Sequence, residues 1–302
     1  MTERWVVYAA FDPIGGASRH AVDQLKSYRQ AGFETLVVDA SPVLSPERQD
    51  SWRAHATAWT ARRNEGYDFG SYRHGLEHLA RAFHVAIDQA EIVLTNDSCL
   101  GPVFPLAEAI DALRARDGSR RSVFAITDSE EGTRHLQSYW MYFPSGRAAL
   151  ARDFLAMLPP IDNRVDAIRH GERAISQYIV DRGYALEALI TVRDAISLFA
   201  RAPVFGTRVT DFSVRLLLRR PRYNQRADSA CLAYLLGRQG FATHLNPTLG
   251  LGIDLARARL SPFVKRELIR TNPYDDRRVP TGLRHDDNVS LSRLLAPAGD
   301  GA

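Results

Sequence analysis

Cysteine is nearly missing from this sequence. Cys99 and Cys231 are the two cysteines in 302 residues, with no CxxC pair and no Cys/His spacing of the kind that holds zinc, so neither a disulfide framework nor a zinc-stapled fold is expected. Long apolar runs are missing too. The first candidate, Trp5 to Phe11 in MTERWVVYAAFDP, is closed by Asp12 and Pro13, far short of a signal h-region or a spanning helix. A protein of the reducing cytoplasm is the simplest expectation. There is no Walker A loop and no GxGxxG fingerprint, which excludes the standard P-loop and Rossmann nucleotide sites, and no repeat of solenoid period. The excess of base over acid is only +4. With the arginines dispersed and no helix-turn-helix, RRM or zinc pattern, nucleic acid is not an expected partner.

What is present is an ordinary globular composition, 45% hydrophobic and 25% charged, and a recurring unit. "LKSYRQAGFETLVV", "ISQYIVDRGYALEALI" and "AYLLGRQGFATHL" each run from an amphipathic helix through a glycine and an aromatic into a strand. Glycine just past a helix end supplies the left-handed cap, so the class is α/β. Strands are predicted near 4–10, 33–39, 54–61, 91–95, 122–127, 138–143 and 184–191, and helices near 17–31, 69–86, 103–115, 145–156 and 172–182.

Chemistry gathers in four stretches. "RRNEGYDFGSY", residues 62–72, lies between a strand and a helix. Arg62 and Arg63 bring charge, Gly66 and Gly70 allow close backbone approach, and the helix N-terminus adds donors, which together suit a phosphate; Asn64 or Asp68 would equally serve as a helix N-cap. "EIVLTNDSCLGPVFPL" delivers Asn96, Asp97 and Ser98 to the carboxyl end of a strand, where open α/β sheets place ligands. A carboxylate there can hold a divalent cation against a diphosphate, and an Asx-turn closing the strand is the plainer alternative. In "GERAISQYIVDRGY", Glu172 follows Gly171 at an expected helix start, as a dipole partner or as a general base. In "RHLQSYWMYF", His135, Gln137 and Tyr139 offer an acceptor sugar donors, acceptors and a stacking face, although alternate side chains should be core. His244 in "THLNP" would close over a metal or diphosphate, with ordinary loop packing the plainer alternative. His74 and His78 stand i,i+4 without a third ligand, and "RLLLRRPRYNQR" carries Arg215, Arg219 and Arg222, a face suited either to anionic lipid or to surface salt bridges.

Five segments in order, "RRNEGYDFGSYRHGL", "LTNDSCLGPVFPL", "ITDSEEGTRHLQSYWMYF", "GERAISQYIVDRGY" and "LNPTLGLG" with "SPFVKRELIRTNP", resemble the rhamnan synthesis protein F family of bacterial glycosyltransferases. The resemblance implies a GT-A-like mixed sheet flanked by helices, assigned to residues 1–204; the residues beyond read by themselves as a mainly helical C-terminal elaboration over 205–292, on the acceptor or membrane side, and a disordered tail over 293–302. It implies inverting transfer of a sugar, typically rhamnose from dTDP-rhamnose, onto a cell-surface polysaccharide or lipid-linked acceptor at the inner face of the membrane. Asp12, Asp39, Arg63, Asn64, Gly66, Asp68, Asn96, Asp97 and Ser98 would then meet the donor, Glu172 would be the base, and His135, Gln137 and Tyr139 would meet the acceptor. Asp97 with His244 would hold any Mg2+ or Mn2+. Where many such enzymes carry Asp-x-Asp, this chain has Asn96-Asp97-Ser98. A non-catalytic glycan or nucleotide-sugar binding component of an assembly complex is the alternative.

Overall fold

The computed structural model describes residues 2–16, 18–118, 121–195 and 246–270, together with Leu291 and Leu295. His244, Cys231 and the arginine-rich stretch lie outside the described residues. A mixed sheet of eight strands organises the fold. Strands β1 (Arg4–Ala10), β2 (Glu34–Asp39), β3 (Ala58–Ala61) and β4 (Glu91–Asn96) are parallel in the order β3-β2-β1-β4. A short β5 (Cys99–Leu100) follows β4 outside this sheet. Beyond β4 come β6 (Ser122–Ser129) and β8 (Trp140–Phe143), with β8 antiparallel to both β4 and β6. β9 (Ala185–Ile190) is parallel to β6, and β7 (His135–Leu136) pairs antiparallel with its last residues. A mixed α/β sheet flanked by helices is what the sequence led us to expect.

The helices are α1 (Arg19–Gln30), α2 (Pro46–His55), α3 (Tyr67–Ala82), α4 (Leu106–Asp117), α5 (Ala148–Ala156), α6 (Arg164–Asp166), a π-helical turn Ala167–Arg173, and α7 (Ala174–Asp181). Central strands read as unbroken apolar runs because both faces are covered. Trp5, Val7 and Ala9 of β1 enter one core with α3 and α5, while Val6, Tyr8 and Ala10 enter the other with α1 and α4. Gly75 sets the depth at which α3 rests on the sheet. A Cβ there would stand 2.3 Å from Val7 Cγ1 and 3.1 Å from Val38 Cγ2, so the helix backbone sits directly on β1 and β2.

Two expectations are corrected. The strand predicted over 54–61 starts only at Ala58, because residues before it form α2. Ser45 Oγ accepts from the Arg48 N–H at 3.2 Å, Pro46 begins the helix and Glu47 lies in its first turn, a strong start signal. Its only buried residues are Arg48 and Trp52, so no apolar stripe reveals the helix. Glu172, in turn, does not open a helix. The helical run begins after Asn163, whose side chain accepts from the Asp166 N–H, and Glu172 lies within the π-helical turn, so it gains nothing from a helix N-terminus.

The C-terminal described segment holds α8 (Pro247–Gly250), α9 (Gly252–Arg257), β10 (Val264–Lys265) and α10 (Arg266–Arg270). β10 pairs antiparallel with β5, Val264 opposite Leu100 and Lys265 opposite Cys99. Gly101 has φ +124°, and a Cβ on it would meet the Pro262 carbonyl oxygen at 2.4 Å. Glycine therefore lets the two segments close on each other.

Candidate active site

At the end of β4, Asn96 ties three pieces of chain together. Its Oδ1 accepts from Ser98 N–H at 3.0 Å and Ser98 Oγ at 2.5 Å, which is an Asx-turn, and its Nδ2 donates to Asp68 Oδ2 at 2.6 Å. The Asx-turn that the sequence offered as the plainer alternative is therefore present. Asp68 is in the first turn of α3, and Gly66 before it, at φ +78°, lets the loop enter the helix. Burial raises the Asp68 pKa, opposed by the Asn96 hydrogen bond and by Lys265, with Glu172 pushing the other way.

Asp97 comes next. Its Oδ2 accepts from the Phe11 N–H at 3.0 Å and stands 3.9 Å from Arg266 Nη1. Burial pushes its pKa up to about 7, against the pull of Arg266 and the Phe11 hydrogen bond and with added repulsion from Asp68.

Two cations reach this turn from 165 residues or more further along the chain. Lys265 Nζ donates to Ser98 Oγ at 2.8 Å and lies 4.6 Å from the centre of the Tyr139 ring. Arg266 donates its backbone N–H to Ser98 O at 2.9 Å and Nη1 to Asp97 O at 3.1 Å. The sequence had marked "SPFVKRELIRTNP" without assigning these side chains a role. Nothing local ties residue 265 to residue 98; the β5–β10 register does.

Glu172 is near enough to Asp68 to raise its pKa. Its Oε1 accepts from the Ser138 N–H at 2.5 Å, its Oε2 stands 3.8 Å from His135 Nε2, and 16% of its side chain is exposed. Ser138 also accepts from Tyr72 OH at 2.9 Å through its carbonyl. The turn that carries Glu172 packs tightly, since a Cβ on Gly171 would fall 2.4 Å from Phe69 Cε2. A π-helical insertion of this kind often marks a functional site, because it re-aims side chains on an otherwise regular helix.

The remaining predicted residues are distributed as follows. Arg63 and Asn64 are exposed. Arg62, not Arg63, braces the loop: its Nη1 donates to Ser71 Oγ at 3.0 Å and its Nη2 to the Glu65 carbonyl. Asp12 turns back on its own loop, where Oδ1 accepts from the Ile14 N–H at 2.8 Å. Asp39 is sealed inside, taking Arg48 Nε at 2.5 Å, Trp52 Nε1 at 2.7 Å and Ser41 N–H at 2.9 Å. That arrangement fixes the exit of β2 and leaves the carboxylate facing protein. His135, Gln137 and Tyr139 are all buried. His135 meets the Thr133 carbonyl through Nδ1 at 2.7 Å, so a neutral ring carries its proton there. Gln137 and Tyr139 join Thr127 and Thr248 in a closed hydrogen-bond cluster that anchors α8 to β6. Gln137 and Tyr139 thus face protein, and of the three His135 lies beside Glu172. His74 and His78 stack at 6.2 Å between ring centres, and among the described residues no cluster of three His, Cys, Asp or Glu is positioned to hold a metal. Arg266 stands against the Asp97 carboxylate and Lys265 is bonded to the neighbouring Ser98, so positive charge is already present where a dication would approach Asp97.

Residues 36–227 match the rhamnan synthesis protein F family. The chain belongs to that family. A curated relative, the uncharacterized protein y4gN of Sinorhizobium fredii, is 26% identical over 199 residues, which are 64% of this chain and 51% of that protein. This family member thus spans about half the length of the curated relative it matches. Among solved structures, it is similar to a cytidylyltransferase from Leptospira borgpetersenii at TM-score 0.36 and 10% identity, covering 82% of this chain and 99% of that one. It is also similar to the mannosyltransferase PcManGT from Pyrobaculum calidifontis, solved with GDP-Man and Mn2+, at TM-score 0.37 and 12% identity, covering 86% of this chain and 75% of that one. No helix among the described residues is long and apolar enough to cross a membrane.

Proposed function

We propose that this member of the rhamnan synthesis protein F family is an inverting glycosyltransferase that moves a sugar, rhamnose from dTDP-rhamnose, onto a glycan acceptor of the cell surface, lipid-linked at the cytoplasmic face of the membrane. The observation that carries the reading is Glu172, a partly exposed carboxylate held by the Ser138 N–H and near enough to Asp68 to raise its pKa. An alcohol is a weak nucleophile until its proton has somewhere to go. In the proposed reaction the acceptor oxygen attacks the anomeric carbon, the bond from that carbon to the diphosphate breaks with its electron pair going to the phosphate oxygen, and Glu172 takes the acceptor's proton. Asn64, Gly66 and Arg63 line the loop side of the donor, and the Asn96-Asp97-Ser98 turn lies under its diphosphate. Fixing Glu172 by a charge-assisted backbone bond, worth about 1.5 to 3 kcal/mol, keeps one oxygen oriented for the proton and costs little reorganisation during transfer.

The test is a thermal-shift screen of the full chain against dTDP-rhamnose, UDP-glucose, GDP-mannose and CDP-linked donors, followed by product analysis with membrane-extracted glycan. Native-state binding raises Tm, so dTDP-rhamnose should raise it most and should be consumed to a product of inverted anomeric configuration. If no nucleotide sugar shifts Tm or is turned over, the reading fails.

A further inference from the structure

Lys265 presents an unusual charge balance. Its ammonium, half-buried, has three N–H donors. One goes to Ser98 Oγ and the charge rests against the Tyr139 ring, while its pull on a carboxylate, that of Asp68, acts without a direct contact among the described residues. A partly desolvated cation with no carboxylate in direct contact gains from an incoming anion, and this one is held on the turn that follows β4. Arg266 lies alongside, with Nη1 on the Asp97 carbonyl and 3.9 Å from the Asp97 carboxylate. The two cations thus stand beside two carboxyls, Asp97 and Asp68, that burial pushes toward their neutral forms, which leaves positive charge for an incoming anion to meet.

The position of the pair narrows the anion. Ser98 occupies the third place of the Asn96-Asp97-Ser98 turn, where a second carboxylate would help hold a dication. Lys265 Nζ is seated on that residue. A dication brought there would meet two fixed cations at short range, whereas a diphosphate would meet complementary charge. We infer that Lys265 and Arg266 form a diphosphate clamp, taking the place of a metal in neutralising the leaving nucleoside diphosphate. This rests on the glycosyltransferase reading and deepens it. As the anomeric carbon–oxygen bond breaks, its electron pair goes to the terminal phosphate, and the ammonium and guanidinium face the growing negative charge. The same register that pairs Lys265 with Cys99 makes the clamp depend on the C-terminal segment, so closing that segment onto β5 completes the site.

The experiment is calorimetric titration of the full chain with dTDP, UDP, GDP and with inorganic pyrophosphate, in EDTA and again with Mn2+. Wild type should bind at least one of the nucleotides in EDTA, and pyrophosphate more weakly at the same place. Lys265→Gln and Arg266→Gln should each weaken binding by about 10- to 100-fold, while Lys265→Arg retains most of it. The corresponding nucleoside should bind wild type and Lys265→Gln alike, a readout that a merely structural role would not separate. Circular dichroism melts of each variant, with the charge-retaining Lys265→Arg as the folded reference, distinguish loss of binding from loss of fold. Nucleotide binding that requires Mn2+, or that is unchanged in Lys265→Gln, overturns the clamp and leaves the glycosyltransferase reading standing. Absence of binding by every nucleotide under both conditions overturns both.

Discussion

Replacing Asp97 with Asn should make the protein more stable above neutral pH. The Asp97 carboxyl is pushed up to about 7, chiefly by burial, with Asp68 adding repulsion and Arg266, the Phe11 N–H and Arg48 pulling the other way. An unfolded aspartate titrates near 3.9. Between those values the folded state holds a proton that the unfolded chain has released, so stability falls as pH rises through the window and levels off above about 7. Each pH unit in the window is worth at most about 1.4 kcal/mol, which sets a ceiling of about 4 kcal/mol across it. The side chain is 14% exposed, so water trims that figure, and a difference of about 1 to 3 kcal/mol at pH 8 is expected. Asn cannot ionise, and its Oδ1 can still accept from Phe11. Urea unfolding of both proteins at pH 5, 6, 7 and 8 is the assay: the variant's advantage should grow with pH and stop growing above 7. Parallel stability curves would refute the argument, and the stabilised variant should lose transfer activity, a common trade at functional sites.

Other outcomes follow from packing. Gly75→Ala forces a methyl to within 2.3 Å of Val7 and should cost about 1 to 3 kcal/mol in chemical unfolding; an unchanged midpoint would mean α3 does not rest on the sheet as described. Arg62→Ala removes two bonds that brace the 62–71 loop and should lower stability by about 1 to 2 kcal/mol. Exposed Arg63→Ala should change it by no more than about 0.5 kcal/mol while weakening nucleotide-sugar affinity, which calorimetry would read.

The legible parts of the fold were those with local signals. β1, β2, β4 and β6 are buried apolar runs, and the glycine-capped helices α1 and α7 declare their ends. α2 was hidden because its one large buried apolar side chain, Trp52, makes no stripe, although Ser45, Pro46 and Glu47 spelled its start. In the site, Asn96, Asp97 and Ser98 were visible because they follow a strand directly. Lys265 and Arg266 were not, since a two-residue strand pairing across the chain leaves no periodicity to read. Glu172 was singled out on a local pattern that misplaced the helix start. Its Gly-Glu pair looked like a helix start, whereas Gly171 is there to admit the Phe69 ring and the helix begins at Arg164. Burial of Gln137 and Tyr139 depends on Thr248, which the local pattern of β7 and β8 does not contain.

The most direct test of the account is the turnover of Glu172→Gln with saturating donor and acceptor, measured beside its donor Kd. Glutamine keeps the size and can accept the Ser138 N–H, but it cannot take the acceptor's proton at neutral pH. The account predicts donor Kd within a few-fold of wild type and kcat lower by roughly 10²- to 10⁴-fold. A variant that turns over at near wild-type kcat would contradict it, and Glu172 would then be a structural residue of the π-helical turn.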